Sequence, residues 1–227
     1  MEHGTLRELV GGSETDRRIA ETIEAATSGG DGRATTAGVQ GGWNKSRFLA
    51  NLEVAALQNN TWIENIGTFA NKAKKLKGGY ESEVYESKDG KSVIKINNLN
   101  FLNDDDVQYE TTRDFNYFID RLCFHNRLFP KDTYKLIGFS ENTNGEFGIV
   151  LQQPFVQDAK LATPEQWDTH LTSRQFKKAK LTSLQGVVGY LDGEYELSDF
   201  KPENVLVDKN GDLRYIDLDI SMVVVED

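Results

Sequence analysis

The sequence predicts an α+β fold. An antiparallel sheet interrupted by one long helix comes first, and a smaller strand-rich half bearing acidic residues follows. Three observations predict it. Strand-like runs come in pairs closed by turn residues, as in Ser82–Ser87 and Ser92–Asn97 around Asp89-Gly90. A helical apolar period separates two such pairs. The last third returns to short strands around an Asn210-Gly211 turn.

Composition sets the outer bounds. The chain has 227 residues, enough for one or two compact units with a real core. Its net charge is −10, and its densest basic runs, Lys72–Lys77 and Lys177–Lys180, are short. Nucleic-acid partners usually demand a basic stripe, so none is expected. The acidic balance also argues against steering to anionic membranes. The one cysteine, Cys123, cannot form an internal disulfide and lies in an apolar run, so it reads as a small buried hydrophobe. No apolar run approaches the roughly 18 residues that cross a bilayer. Met1-Glu2-His3-Gly4 lacks the basic and apolar regions of a signal peptide. A cytoplasmic location is the expectation, and delivery into another cell without a Sec signal stays open.

The elements follow in order. Residues 1–43 are rich in Gly, Ser and Thr and hold no aromatic before Trp43. Ile19, Ile23 and Ala26 recur at helical spacing within Glu14–Ala26, but so short a helix is marginal without a partner surface. Gly29–Gly42 reads as a linker, so this stretch is expected to be a flexible or partly helical tail. From Asn44 onward, Phe48, Leu49, Leu52, Ala55 and Ala56 form one helical face. A second short helix is expected near Phe69–Leu76. After the first hairpin, Asp104-Asp105-Asp106 suits the positive end of a helix dipole. That helix is expected to run to Phe129, stop at Pro130 and bury Val107, Phe115, Phe118, Ile119, Leu122 and Phe129. Tyr134–Phe139 and Phe147–Gln152 form the next strand pair. Thr163-Pro164-Glu165-Gln166 opens another helix, with a capping residue, proline at the first helical position and Gln at the box position. Tyr195–Leu197, Asn204–Val207 and Leu213–Leu218 read as strands.

The chemistry concentrates in Asp199-Phe200-Lys201-Pro202-Glu203-Asn204 and in Asp217. Transfer of a phosphoryl group from ATP needs a carboxylate to orient the attacking hydroxyl and accept its proton. It also needs a cation near the transferred group, and hard oxygen ligands for magnesium. Asp199 suits the first role, Lys201 the second, and Asn204 with Asp217 the third. The predicted hairpin between Val205 and Asp217 would return Asp217 to the side of Asn204.

These residues resemble the catalytic core of the protein-kinase family, whose loop reads Asp-x-Lys-Pro-x-Asn. The interval from Asn204 to Asp217 is also similar to the family's spacing to its magnesium-binding Asp. The resemblance covers roughly Leu76–Ser221 and implies a minimal bilobal protein-kinase-like fold. Residues 44–153 would be the antiparallel-sheet N-lobe with leading helices, and residues 154–227 a truncated C-lobe with the catalytic loop and metal-binding hairpin. It further implies an enzyme dependent on ATP and Mg2+ that phosphorylates a protein Ser/Thr or Tyr hydroxyl. Phe118-Ile119-Asp120-Arg121-Leu122, the stretch His125 to Pro130 and Gln153-Pro154-Phe155-Val156 look like the kinase domain of bacterial and phage polyvalent proteins. Minimal bacterial effector kinases are a second likeness.

Other roles rest on the same resemblance. Lys95, in Ser92-Val93-Ile94-Lys95, would be the phosphate-contacting lysine. The phosphate loop would hold Gly78 and Gly79 and end on Val84, although Lys77 and Ser82 stand at two glycine positions and a plain turn is equally compatible. Glu110 is the helix glutamate offered to Lys95, or else a solvated residue. Adenine would meet the N–H of Phe155 and the carbonyl of Gln153, since Pro154 has no N–H. Departures are evident. Leu197 and Ser198 replace the His-Arg before the catalytic Asp, and Asp217-Leu218-Asp219 replaces Asp-Phe-Gly. Asp219 is read as a strand-end residue in preference to a metal-side carboxylate. The sequence given stops ten residues after Asp217, so no large helical C-lobe is expected. The competing readings are a catalytically silent nucleotide-binding pseudokinase or docking module, and a small-molecule kinase, against which Lys201-Pro202 argues.

Overall fold

A computed structural model describes residues 6–28, 44–76, 78, 81–100, 102, 114–181 and 187–223. The chain divides into two compact units. One takes the described residues before Asp120 together with Tyr134–Phe155, and the other takes Asp120–Thr133 and the chain from Val156 onward.

The first unit begins with a short helical turn, α1 (Leu6–Leu9), and with α2 (Glu14–Ser28). Ser13 and Asp16 start α2 reciprocally: Ser13 N–H donates to the Asp16 carboxylate at 3.0 Å, and Asp16 N–H donates to Ser13 Oγ at 3.2 Å. The expected helix is therefore present, and it has a partner surface. Ile19, Ile23 and Ala26 are buried as α2 packs on α3 (Lys45–Gln58) and on strand β4 (Lys135–Glu141). Thr22 meets Thr61 hydroxyl to hydroxyl at 3.0 Å, and Lys135 pairs with the buried Asp16 at 3.3 Å. Each buried Ile contributes on the order of 1.5–3 kcal/mol relative to exposure, which is how a helix this short holds its place.

Five antiparallel strands form the sheet of this unit: β1 (Ala70–Leu76), β2 (Ser82–Ser87), β3 (Ser92–Asn97), β5 (Phe147–Pro154) and β4, in that order. The segment expected as a helix at Phe69–Leu76 is instead strand β1. Its Ala, Lys and Leu residues favour helix intrinsically, but β2 supplies a ladder and two cross-strand ion pairs, Lys74–Glu86 at 2.7 Å and Lys75–Glu83 at 3.0 Å. Every residue of β3 is buried, because β3 lies at the centre of the sheet. Ile94 and Ile96 pack with Tyr85, Ile66, Ala70 and Val150.

Helix α4 (Phe115–Leu128) starts in the first unit and continues into the second. Its expected beginning at Asp104 lies outside the described residues. Cys123 is buried, as expected. The second unit adds β6 (Lys160–Leu161), α5 (Pro164–Ser173), β7 (Lys177–Leu181), β8 (Val187–Leu191), β9 (Tyr195–Ser198), β10 (Val205–Val207), β11 (Leu213–Tyr215) and β12 (Asp219–Met222). They make a three-stranded sheet, β11-β10-β6, and a four-stranded sheet, β12-β9-β8-β7. Gln166 accepts a bond from Thr163 N–H at 2.8 Å to open α5, and Gly211, at φ +85°, makes the β10–β11 turn. Trp167, Leu171, Leu197, Val205, Tyr215 and Ile220 form the core. Among the described residues no helix is long and apolar enough to cross a membrane.

Candidate active site

The catalytic-loop sequence begins where β9 ends. Asp199 turns the chain at φ +61°, a left-handed conformation that costs most residues free energy and that Asp tolerates better than most. Phe200 then points into the core, edge-on to Tyr190 with ring centroids 4.9 Å apart, and packs near Trp167. That anchor holds the loop while its neighbours stay polar. Pro202 opens a single 3-10 turn, Pro202–Asn204, where its fixed φ suits the first position.

Asn204 is buried and faces back into the loop. Its Nδ2 donates to the Asp199 carbonyl and to Asp199 Oδ2, each at 2.9 Å. Lys201 Nζ lies 2.6 Å from Asp199 Oδ1. Both carboxylate oxygens of Asp199 are thus oriented, one by an amide and one by an ammonium. The hydrogen bond to Asp199 raises the Lys201 pKa above its ordinary value, so the side chain stays cationic at neutral pH. Three of the predicted residues, Asp199, Lys201 and Asn204, are therefore together.

The fourth arrives through the hairpin. β10 pairs with β11, Val205 opposite Tyr215, and Ile216 N–H donates to the Asn204 carbonyl at 3.0 Å. Asp217 follows directly. Its Oδ1 lies 3.1 Å from Arg121 Nη2 on α4, and Arg121 Nε lies 3.9 Å from Asp219 Oδ1. Asp219 is the first residue of β12, opposite Ser198 on β9, so its place at a strand end is as expected, with an ionic partner added. The sequence carried no local signal for Arg121, which is 96 residues from Asp217.

Among the described residues no cluster of three His, Cys, Asp or Glu side chains is shaped for a metal. The donor set nevertheless suits magnesium, which takes few protein ligands and keeps waters and phosphate oxygens. Asp217 offers a carboxylate. Asn204 has its Nδ2 on Asp199, and its amide oxygen is a hard donor by type.

In the first unit, Lys95 sits on β3 opposite Val84 of β2 and Leu151 of β5. It is 9% exposed. Its Nζ donates to Tyr134 Oη at 3.2 Å and lies 5.0 Å from the centre of that ring. Tyr134 is a contact that spacing alone did not suggest. Gly78 is required where it stands, because a Cβ there would lie 2.3 Å from the Ser82 carbonyl oxygen. Gly78 thus lies close against the Ser82 backbone. Gly79 and Glu110 lie outside the described residues.

One expectation needs correction. Phe155 N–H, expected to meet adenine, donates to the Lys91 carbonyl at 3.0 Å. Gln153 is opposite Val93 in the same ladder. Backbone groups alternate sides along a strand, so Gln153 and Phe155 turn theirs the same way, toward β3.

A family model for serine/threonine/tyrosine kinases found in polyvalent proteins matches residues 45–223. No curated protein matches the chain. The matched span is well over half of the 227 residues and contains both the Lys95 strand and the whole Asp199–Asp217 hairpin. The chain is accordingly a protein-kinase-like phosphotransferase and belongs to the serine/threonine/tyrosine kinase family found in polyvalent proteins.

Proposed function

We propose that the chain transfers the γ-phosphoryl group of ATP, with magnesium, to a Ser, Thr or Tyr hydroxyl of a protein. The observation that carries this reading is the cluster of Asp199, Lys201 and Asn204 on one six-residue loop, with Asp217 returned beside Asn204 by the hairpin. Asp199 orients the acceptor hydroxyl and takes its proton as the oxygen attacks phosphorus. Lys201, already a cation at Asp199, neutralises charge on the transferred group. Asn204 and Asp217 would hold magnesium, which would supply positive charge against the phosphates. Lys95 serves the phosphates from β3, and Glu110 is the glutamate that the sequence offers it, as a partner or as a solvated residue. The loop through Gly78 and Gly79 to Val84 covers the phosphates.

Adenine lies against the end of β5, near Gln153 and Phe155. With Phe155 N–H committed to Lys91, the donor to adenine is a backbone N–H other than that of Phe155. The acceptor is a protein, since Lys201-Pro202 follows the protein-kinase pattern. A cytoplasmic setting and a bacterial or phage origin fit the same reading.

Incubation with labelled ATP and magnesium, using a mixture of generic protein acceptors and the chain itself, tests this. Label on protein that is lost with EDTA supports the reading. Nucleotide binding without any transfer would replace it with a silent docking module.

A further inference from the structure

Arg121 is a polar group of the second unit that the proposed chemistry leaves without a role. It lies on α4, and its side chain is 15% exposed. Its guanidinium reaches two carboxylates of different character. Asp219, beside it, is 16% exposed, whereas Asp217 is 52% exposed. The inner two groups are mostly buried, and the outer one is exposed. A guanidinium is a rigid planar fork, so an arginine held at one edge has its other edge aimed. Asp219 faces Arg121 Nε across 3.9 Å, an ionic contact longer than a hydrogen bond, and Arg121 Nη2 donates to Asp217 Oδ1 at 3.1 Å.

We propose that Arg121 is the positioning residue for the metal-binding carboxylate: an Asp219–Arg121–Asp217 relay sets the orientation in which Asp217 presents itself to magnesium. This rests on the reading of Asp217 as a magnesium ligand. Partners behind a metal ligand orient it, and their loss typically costs about 10–100-fold in metal affinity. The opposite role, a resident cation that competes with magnesium for Asp217, predicts the opposite sign, because removing a competitor tightens binding. A salt bridge serving only the fold predicts no change in metal dependence.

Calorimetry of ADP binding to the full chain, with Mg2+ and separately with EDTA, decides among these. Arg121→Met and Asp219→Asn should each weaken Mg2+-dependent ADP binding, the first by about 10–100-fold and the second by less. ADP affinity in EDTA should stay at the wild-type value. Arg121→Lys keeps the charge and the fold but cannot span two carboxylates as a fork does, so it too should lose Mg2+-dependent affinity while melting at the wild-type temperature. Asp217→Asn supplies the reference. If it abolishes the Mg2+ contribution while the Arg121 variants match or exceed wild type, the relay is wrong and the metal site stands. If Asp217→Asn leaves the Mg2+ contribution intact, the metal site itself is misassigned and the relay falls with it.

Discussion

Asn204 gives its side-chain amide to Asp199 twice, once to the backbone carbonyl and once to the carboxylate, each at 2.9 Å. One buried residue thus fixes both the left-handed turn at Asp199 and the direction of its carboxylate. Asn204→Ala removes both bonds and leaves a partly buried carbonyl unpaired. The expected cost is about 1–3 kcal/mol in urea unfolding, together with a loss of phosphotransfer rate. A variant as stable as wild type would show that Asn204 does not hold the loop.

The second unit contains a buried ion pair that should behave differently. Asp132 is 2% exposed and takes Arg214 Nε at 2.6 Å and the Tyr215 N–H at 2.9 Å. Burial pushes the Asp132 carboxyl above its ordinary pKa, although Arg214 opposes that. Arg214→Ala removes the guanidinium from a buried carboxylate and should destabilise the protein by about 3–5 kcal/mol. Chemical denaturation measures this, and a change under 1 kcal/mol would contradict it.

His170 offers a pH signature. Its Nδ1 lies 2.6 Å from Tyr215 Oη. Burial, with the Arg174 charge adding to it, holds the imidazole below its ordinary pKa of 6.5. As pH falls below 6.5, the unfolded chain takes up a proton that the folded chain refuses. Stability from this group is complete above 6.5, falls through the window beneath it, and levels off below the folded value. His170→Gln removes the effect. Melting temperatures at pH 7.5 and 5.5 should show wild type losing more than the variant on acidification. Equal losses would show that His170 titrates alike in both states.

Much of the fold was legible because its signals are local. Asp89-Gly90 and Asn210-Gly211 mark hairpins, Thr163-Pro164 opens α5, and the period of Phe48, Leu52, Ala55 and Ala56 marks α3. The loop from Asp199 to Asn204 was legible for the same reason, since its chemistry lies within six residues. What was not legible is tertiary. β1 reads as a helix until β2 offers it a ladder and glutamates for Lys74 and Lys75. β7, with three lysines in five residues, suggests no strand alone, yet it pairs with β8 from Lys177 opposite Leu191 to Leu181 opposite Val187. Arg121 meets Asp217 only through the fold. Phe155 looked available to adenine because a strand's ladder partner, Lys91, cannot be seen in the sequence around it.

The central claim is that Asp199 is the base of a working protein kinase, and one measurement tests it most directly. The chain is incubated with Mg-ATP and a protein acceptor mixture, and phosphosites are read by mass spectrometry for wild type and Asp199→Asn. Asn tolerates the left-handed turn at this position and still offers an oxygen to Asn204, so the fold should persist. Wild type should place phosphate on Ser, Thr or Tyr, and the variant should do so about 10²–10⁴-fold more slowly. Phosphorylation by the variant at the wild-type rate, or none by wild type under conditions where it binds ATP, would contradict the account.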